Sequence, residues 1–234
     1  MLPPDVARRR GAVVLVHGAW VGEWSWAPVL PGLEESGRPV HTVSLTGHGI
    51  RSHLSSPLIG LADHVADVVT HVETFDLIDI TLVGHSYGGR VITAAYPHLA
   101  DRIARMVYID AHAPTAPDAG QTPERIAAAE AEGGFLPFTG YDPNPDDLGG
   151  EAGVAWFLDR IRPQSFKTFL VPMIDTLPAS VAKAYVYCSG YGPSRFADYA
   201  VGARTDPDWE YHELDTDHWP MFNRTAQVVE IILG

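Results

Sequence analysis

The fold is indicated by residues 78–88, which read Ile78-Asp79-Ile80-Thr81-Leu82-Val83-Gly84-His85-Ser86-Tyr87-Gly88. The first six of these residues are mainly β-branched or apolar and predict a strand over 78–83. The last five fit the pattern G-x-S-x-G, and the run 89–96 that follows has a helical pattern. This strand-turn-helix context is typical of a nucleophile elbow, in which glycines relieve the crowding around a strained serine. We therefore predict that the Ser86 Oγ projects above a sheet and that the Tyr87 N–H points at a developing oxyanion.

Strands and helices alternate along much of the chain. Further strands are predicted at 12–17, 39–44, 106–110, 182–188 and 209–214. One predicted helix has an apolar stripe formed by Leu61, Val65, Val68, Val69 and Val72. A last helix is predicted from about 225 to 233. The alternation predicts an α/β fold with a mostly parallel sheet of six strands, flanked by helices.

The alternation is interrupted between about 113 and 177, where eight prolines make a continuous sheet unfavourable. Thr122 and Pro123 have the pattern of a helix N-cap followed by the first helical residue. We predict a small, mostly helical cap over the carboxyl end of the sheet, where ligands bind in open α/β folds. The chain is thus predicted to be one domain over 1–234, with a core of about 11–112 and 178–234.

Composition excludes several classes of protein. The 234 residues are 46% hydrophobic and carry a formal net charge of −13, which disfavours binding to nucleic acid or to an anionic membrane surface. No apolar run is long enough for a membrane helix. The single cysteine, Cys188, cannot form an internal disulfide, and we expect it to be buried in a strand. With no secretion signal predicted either, we expect a cytoplasmic protein.

The loop after the first strand, His17-Gly18-Ala19-Trp20, complements the elbow. Gly18 allows the backbone to approach the serine closely. The Ala19 N–H is then placed to join the Tyr87 N–H in an oxyanion hole.

A general base is predicted at His218, one of eleven histidines. It lies in Asp217-His218-Trp219-Pro220, between the last strand and the last helix, which suits the chain order serine, acid, histidine. His64 and His71 are seven residues apart on one helix, but no third ligand is near in sequence, so no metal site is expected. No cofactor is expected either.

These motifs resemble the α/β-hydrolase superfamily. Residues 17–26, His17-Gly18-Ala19-Trp20-Val21-Gly22-Glu23-Trp24-Ser25-Trp26, are similar to the branch of plant methylesterases of the salicylate esterase type, hydroxynitrile lyases and related bacterial hydrolases. The resemblance extends over the whole chain. It implies the α/β-hydrolase fold, with the cap inserted after the strand in the sixth position of the family's sheet, here 106–110. It also implies Ser86 as nucleophile, His218 as base, and Ala19 and Tyr87 as the oxyanion hole.

The third member of the triad departs from the plant pattern. In those relatives the acid lies about three residues beyond the position of Cys188, and residues 189–193 contain no carboxylate. We predict Asp110 instead, because it ends the strand after the elbow helix and lies beside the strand of the nucleophile. The alternative is that Asp110 only binds backbone N–H groups and that Asp198, or another later carboxylate, is the acid.

The resemblance favours ester hydrolysis over cyanohydrin cleavage. The lyases of this branch have threonine at the position of Gly18 and lysine at the position of Trp219, and the lysine charge stabilises departing cyanide. We therefore predict a serine hydrolase that cleaves a carboxylic ester through an acyl-enzyme, with Trp20 and Trp219 contacting a small apolar or aromatic substrate.

Several alternatives stay open from the sequence alone. The same triad could serve a thioesterase, an amidase or a carbamate hydrolase. A receptor-like protein that binds a ligand on a hydrolase scaffold is a further alternative, against which the retained elbow and base argue. The substrate, the pathway and the oligomeric state, including a homodimer, do not follow from the residues.

Overall fold

The computed structural model describes residues 10–117, 122–138, 143–174, 176–191 and 194–234. Its strands are β1 (Val13–Val16), β2 (Val40–Val43), β3 (Ile80–His85), β4 (Ile103–Ile109), β5 (Phe135–Leu136), β6 (Gln164–Ser165), β7 (Ala182–Cys188) and β8 (Trp209–Leu214). Six of them form one parallel sheet in the order β2-β1-β3-β4-β7-β8. The prediction of a six-stranded, mostly parallel sheet is confirmed.

One strand is longer than the sequence predicted and another is shifted: β4 has seven residues instead of five, and β3 has six, as predicted, but begins at Ile80 rather than at 78. β3 continues to His85, and β4 begins at Ile103 rather than at 106. Ala104 is exposed and Arg105 is half-buried, so the first residues of β4 lack the continuous apolar pattern of the rest. The Arg105 guanidinium donates hydrogen bonds to the Glu210 carboxylate and to main-chain carbonyls of the last helix, which accounts for a charged residue in a strand.

The helices are α1 (Leu30–Glu35), α2 (Leu61–Thr74), α3 (Gly88–Leu99), α4 (Pro123–Ala131), α5 (Glu151–Arg160), α6 (Ala197–Thr205), α7 (Pro220–Asn223) and α8 (Thr225–Leu233). Short 3₁₀ turns occur at Glu23–Trp26, Gly49–Leu54, Pro145–Leu148 and Phe166–Phe169. The predicted stripe of α2 is buried except at Val69, which is half-buried. No helix in the described ranges is long and apolar enough to cross a bilayer.

The core lies around the central strands. β1 and β3 are buried along their whole length, as expected for strands with helices over both faces. Helices α2 and α3 pack against each other, as do α1 and α8. Because β3 and β4 are adjacent and parallel, their carboxyl ends meet at the same edge of the sheet.

The segment predicted as a cap lies between β4 and β7. Its described residues include α4, α5 and a two-stranded antiparallel sheet of β5 and β6, which the sequence did not predict. Thr122 caps α4, as expected, by accepting a hydrogen bond from the Arg125 N–H at 3.3 Å. Residues 118–121, 139–142 and 175 of the predicted cap are outside the described residues. The boundaries given for the cap and the core stay a prediction.

Close packing at the start of α3 yields the first test. A Cβ at Gly89 would lie 2.1 Å from the His112 carbonyl oxygen and 2.9 Å from the Ala111 Cβ. Gly89→Ala should therefore lower the free energy of unfolding by about 2 kcal/mol or more through overpacking, although alanine gains about 1 kcal/mol in helix propensity. Urea unfolding measures this change.

The control is Gly60→Ala at the N-cap of α2. A Cβ at Gly60 would meet nothing closer than the Asp63 Oδ2, at 3.9 Å. This variant should change the free energy of unfolding by less than about 1 kcal/mol. Equal stability of the Gly89 variant and the wild type would contradict the packing described for this turn.

Candidate active site

Ser86 occupies the turn between β3 and α3 in a strained conformation. Its φ is +54°, in the left-handed region that residues other than glycine rarely adopt. A Cβ at Gly84 would lie 2.7 Å from the Gly88 carbonyl carbon, and a Cβ at Gly88 would lie 2.5 Å from the Val16 oxygen. Both positions therefore require glycine, which is the crowding that the G-x-S-x-G pattern predicted.

Asp110 directly follows β4, beside this turn. It also has a positive φ, +40°, and it is fully buried. The Ser86 N–H donates to the Ile109 carbonyl at 3.1 Å, and the His112 N–H donates to the Ser86 carbonyl at 3.2 Å. These two hydrogen bonds join the turn that carries the serine to the turn that carries the carboxylate.

His218 faces the carboxylate of Asp110. The His218 Nδ1 lies 2.6 Å from the Asp110 Oδ2, and both side chains are buried. Because the Nδ1–H donates to the carboxylate, the Nε2 is the ring nitrogen that can accept a proton. The His85 Nε2–H donates to the His218 carbonyl at 2.8 Å and fixes the backbone of the loop.

Two further donors bind the carboxylate of Asp110. The Tyr191 hydroxyl donates to Oδ2 at 2.6 Å, and the Cys188 N–H donates to Oδ1 at 3.3 Å. Burial raises the pKa of Asp110, and the hydrogen bonds from Tyr191 and Cys188 oppose that rise. Burial is also the main cause that lowers the pKa of His218, so the imidazole is neutral at neutral pH.

The structure places Asp110 against His218 and puts the turn that carries Ser86 beside both. The ring of His218 lies 4.6 Å, between centroids, from that of His85, which directly precedes Ser86. Ser86 is in turn hydrogen-bonded to the residue before Asp110. The alternative acid, Asp198, lies in the first turn of α6, whereas the carboxylate at His218 Nδ1 is that of Asp110.

The loop predicted to supply a second N–H packs against the serine. A Cβ at Gly18 would lie 3.0 Å from the Ser86 Cβ and 3.0 Å from the His85 Nδ1. Within the described part of the chain, neither the Ala19 N–H nor the Tyr87 N–H donates to a protein group. Donation from these two N–H groups to an oxyanion stays a prediction.

Trp20 connects this loop to the cap segment. It has a φ of +64° and is buried. Its indole N–H donates to the Leu136 carbonyl at 2.8 Å, and its carbonyl accepts from the Arg162 N–H at 2.8 Å. The ring packs edge-on against Phe138, 5.6 Å between centroids, beside a cleft of about 320 Å³. Contact between Trp20 and a substrate stays a prediction.

Trp219, also predicted to contact substrate, is buried beside the base. Its ring lies 5.2 Å from that of His218 and 4.9 Å from that of Phe157 in α5. On the base itself, the Phe196 ring is stacked at 5.2 Å with an interplanar angle of 5°. The surroundings of the imidazole are thus largely aromatic.

Sequence reasoning missed several residues that position the site. His64, considered from the sequence only as a metal ligand, is buried and donates from Nε2 to the Thr46 carbonyl at 3.0 Å, which leaves its Nδ1 to accept from the Tyr87 hydroxyl at 2.8 Å. Cys188 is buried as predicted, and burial raises the pKa of its thiol. Tyr191 lies in residues 189–193, the stretch that lacks the carboxylate found in the plant relatives. That absence is the one feature of the sequence that could have directed attention to this segment.

Among the described residues, no group of three ligating side chains could hold a metal ion.

Comparisons with known proteins identify the family of this chain. A model described as the alpha/beta hydrolase family matches residues 13–231. The carbendazim hydrolyzing esterase of Nocardioides sp. (strain SG-4G) is 32% identical over 232 residues, which cover 93% of this chain and 96% of that protein. Methylesterase 3 of Arabidopsis thaliana is 35% identical over 108 residues, which cover 45% of this chain and 41% of that protein.

Solved structures show the same fold. An extracellular alpha/beta-hydrolase from a Paenibacillus species has a TM-score of 0.71 at 22% identity, over 95% of this chain and 98% of that chain. A methylesterase from Arabidopsis has a TM-score of 0.70 at 21% identity, over 95% of this chain and 97% of that chain. The resemblance drawn from residues 17–26 and from the elbow is confirmed, and the chain belongs to the alpha/beta hydrolase family.

Proposed function

We propose that this protein is a serine hydrolase that cleaves a carboxylic ester of a small apolar or aromatic substrate through an acyl-enzyme. The observation that carries the proposal is the buried His218–Asp110 pair, 2.6 Å apart, beside a serine on a glycine-flanked turn. The esterase names of the relatives above support ester hydrolysis. No step of the proposed chemistry requires a metal or an organic cofactor.

The first half of the reaction forms the acyl-enzyme. Ser86 Oγ attacks the carbonyl carbon of the ester while His218 Nε2 takes the hydroxyl proton. Asp110 holds the imidazole in the tautomer with Nδ1–H and stabilises the imidazolium that forms. The Ala19 and Tyr87 N–H groups bind the oxyanion of the tetrahedral intermediate. When the intermediate collapses, the C–O bond of the ester breaks and His218 returns its proton to the departing alcohol.

The second half regenerates the serine. A water molecule loses a proton to His218 Nε2 and attacks the acyl carbonyl, and the oxyanion forms again at the same two N–H groups. Collapse breaks the bond between the acyl carbon and Ser86 Oγ, and His218 protonates the serine. The products are the free acid and the alcohol.

Aromatic side chains set the proposed substrate class. Trp219 and Phe196 lie against the imidazole, and Phe157 packs on Trp219. In the loop that contains Ala19, Trp20 packs against Phe138. Thioester and amide substrates would use the same residues and release a thiol or an amine in place of the alcohol. A carbamate would release an alcohol, as an ester does, and leave a carbamoyl group on Ser86. An assay panel therefore contains carbendazim, methyl esters of small aromatic acids, and the matching thioesters and amides.

A cytoplasmic location and assembly as a homodimer stay predictions.

Replacing the proposed nucleophile tests the reaction class. Ser86→Ala should retain the thermal unfolding midpoint and lose ester hydrolysis by up to about 10⁶-fold, since the acyl-enzyme cannot form. A fluorophosphonate probe, followed by peptide mass spectrometry, should label the wild type once, at Ser86. Undiminished turnover by the alanine variant would refute the assignment.

The acid is tested by a matched pair of variants. Asp110→Asn should lower kcat by roughly 10²- to 10⁴-fold, because an amide does not hold the required tautomer or stabilise the imidazolium. Asp198→Asn, which changes a residue in the first turn of α6, should have little effect. Both are assayed for turnover and thermal stability. If Asp198→Asn loses turnover and Asp110→Asn keeps it, the acid is Asp198 and not Asp110.

Cyanohydrin cleavage by the same enzyme can be compared with ester cleavage. Gly18 and Trp219 supply neither the hydroxyl nor the ammonium group that the lyases use, so cyanide release from mandelonitrile should be absent or far below ester cleavage. A cyanide electrode and an ester assay on the same enzyme preparation measure the ratio. Cyanide release as fast as cleavage of the best ester would count against the proposed reaction.

A further inference from the structure

Tyr191 makes a hydrogen bond to the proposed acid that the mechanism above does not use. Its hydroxyl lies 2.6 Å from the Asp110 Oδ2, the oxygen that also faces the His218 Nδ1 at 2.6 Å. The hydroxyl of Tyr191 lies 2.8 Å from the Ser194 Oγ as well. One carboxylate oxygen thus receives a donor from the base and a donor from the connection between β7 and α6.

Counting hydrogens fixes the direction of these bonds. The tyrosine has one hydroxyl proton, and an ionised carboxylate can only accept, so that proton lies on the bond to Asp110. The Ser194 hydroxyl must then donate to the Tyr191 oxygen. The Ser194 Oγ in turn accepts from the Phe196 N–H at 3.0 Å. The result is a directed chain of hydrogen bonds from Phe196 through Ser194 and Tyr191 to Asp110, in which each donor strengthens the next.

The same segment also holds the base. The ring of Phe196, whose N–H begins the chain, is the ring that stacks on His218. The segment therefore contacts the acid through a hydroxyl and the base through an aromatic face. Both contacts restrain the two side chains that must keep their relative geometry during proton transfer.

We propose that Tyr191 is a positioning residue, which holds the Asp110 carboxylate against His218 and stabilises its negative charge. The inference rests on the role proposed for Asp110. Tyr191 acts through that carboxylate rather than through the substrate, and its hydroxyl is expected to influence the protonation of the pair as well as its geometry.

Other titratable and charged groups also face the pair. They come from the neighbouring strands and loops and are His85, Tyr185, Tyr187, Cys188 and Arg195. Asp217 interacts with Cys188. Tyr191 bonds directly to the Asp110 carboxylate, at 2.6 Å. Removing the Tyr191 hydroxyl favours proton uptake by the pair wherever the proton binds. A proton that binds Asp110 no longer competes with the Tyr191 hydroxyl for the carboxylate. A proton that binds His218 interacts more strongly with a carboxylate whose negative charge the hydroxyl no longer stabilises.

The test is the pH dependence of kcat/KM for Tyr191→Phe with p-nitrophenyl acetate. The acid limb should move to higher pH by about one unit, the equivalent of one hydrogen bond to a charged group. At its pH optimum, kcat should fall by about 10-fold with KM unchanged. Ser194→Ala, which keeps the tyrosine but removes the donor to its oxygen, should shift the limb in the same direction by less.

Tyr108→Phe is the matched control. Tyr108 is fully buried in β4, the strand that leads to Asp110, and its hydroxyl pairs with the Thr93 hydroxyl at 2.8 Å. Loss of this hydroxyl removes a buried hydrogen bond without touching the pair, so the unfolding midpoint should fall and the acid limb should stay in place. An equal shift of the limb in this control would overturn the inference.

A double variant separates this inference from the proposed function. In the Asp110→Asn background, Tyr191→Phe should lower kcat by less than about twofold, because the charge on which the hydroxyl acts is gone. If Asp110→Asn is fully active, the proposed acid is wrong. If it is inactive while both Tyr191→Phe and Ser194→Ala keep the wild-type acid limb, the acid stands and the positioning role of Tyr191 is overturned.

Discussion

Two backbone hydrogen bonds at the edge of the sheet determine the geometry of the whole site. They join Ser86 to Ile109 and His112, so that the turn after β3 and the turn after β4 form one rigid unit. Both turns contain a residue with positive φ, Ser86 and Asp110, and such strain persists only where the surroundings fix it. Adjacent parallel strands bring the two turns together, and the glycines of the elbow provide the space that the close approach requires.

Burial then gives the site its electrostatic character. Moving Asp110 and His218 out of water disfavours the charged form of each, and the pair is retained because each charge that can form has a partner. The donors from Tyr191 and Cys188 compensate the carboxylate for lost hydration. The neutral imidazole that results is the form that can accept a proton from Ser86.

Local patterns explain what the sequence predicts well. The elbow, the six strands and the loop of His218 are marked by patterns among residues that are close in sequence. The choice of Asp110 as the candidate acid likewise depends on its place at the end of a predicted strand. The segment after Cys188 shows the opposite case, because Tyr191 meets Asp110 across 81 positions of the chain and no periodicity reveals such a contact. The β5–β6 pair and the hydrogen bond from Trp20 to Leu136 are likewise set by tertiary packing. The early start of β4 was missed because Arg105 interrupts the apolar pattern that marks the strand.

The proposed reaction requires that the substrate acylates Ser86 and that the N–H groups of Ala19 and Tyr87 bind the oxyanion. A crystal structure of the protein after reaction with diethyl p-nitrophenyl phosphate tests it most directly. We predict a covalent bond from phosphorus to Ser86 Oγ, with the phosphoryl oxygen about 2.7–3.1 Å from the N atoms of Ala19 and Tyr87. An adduct on another residue, or a phosphoryl oxygen directed away from both N–H groups, would contradict the account.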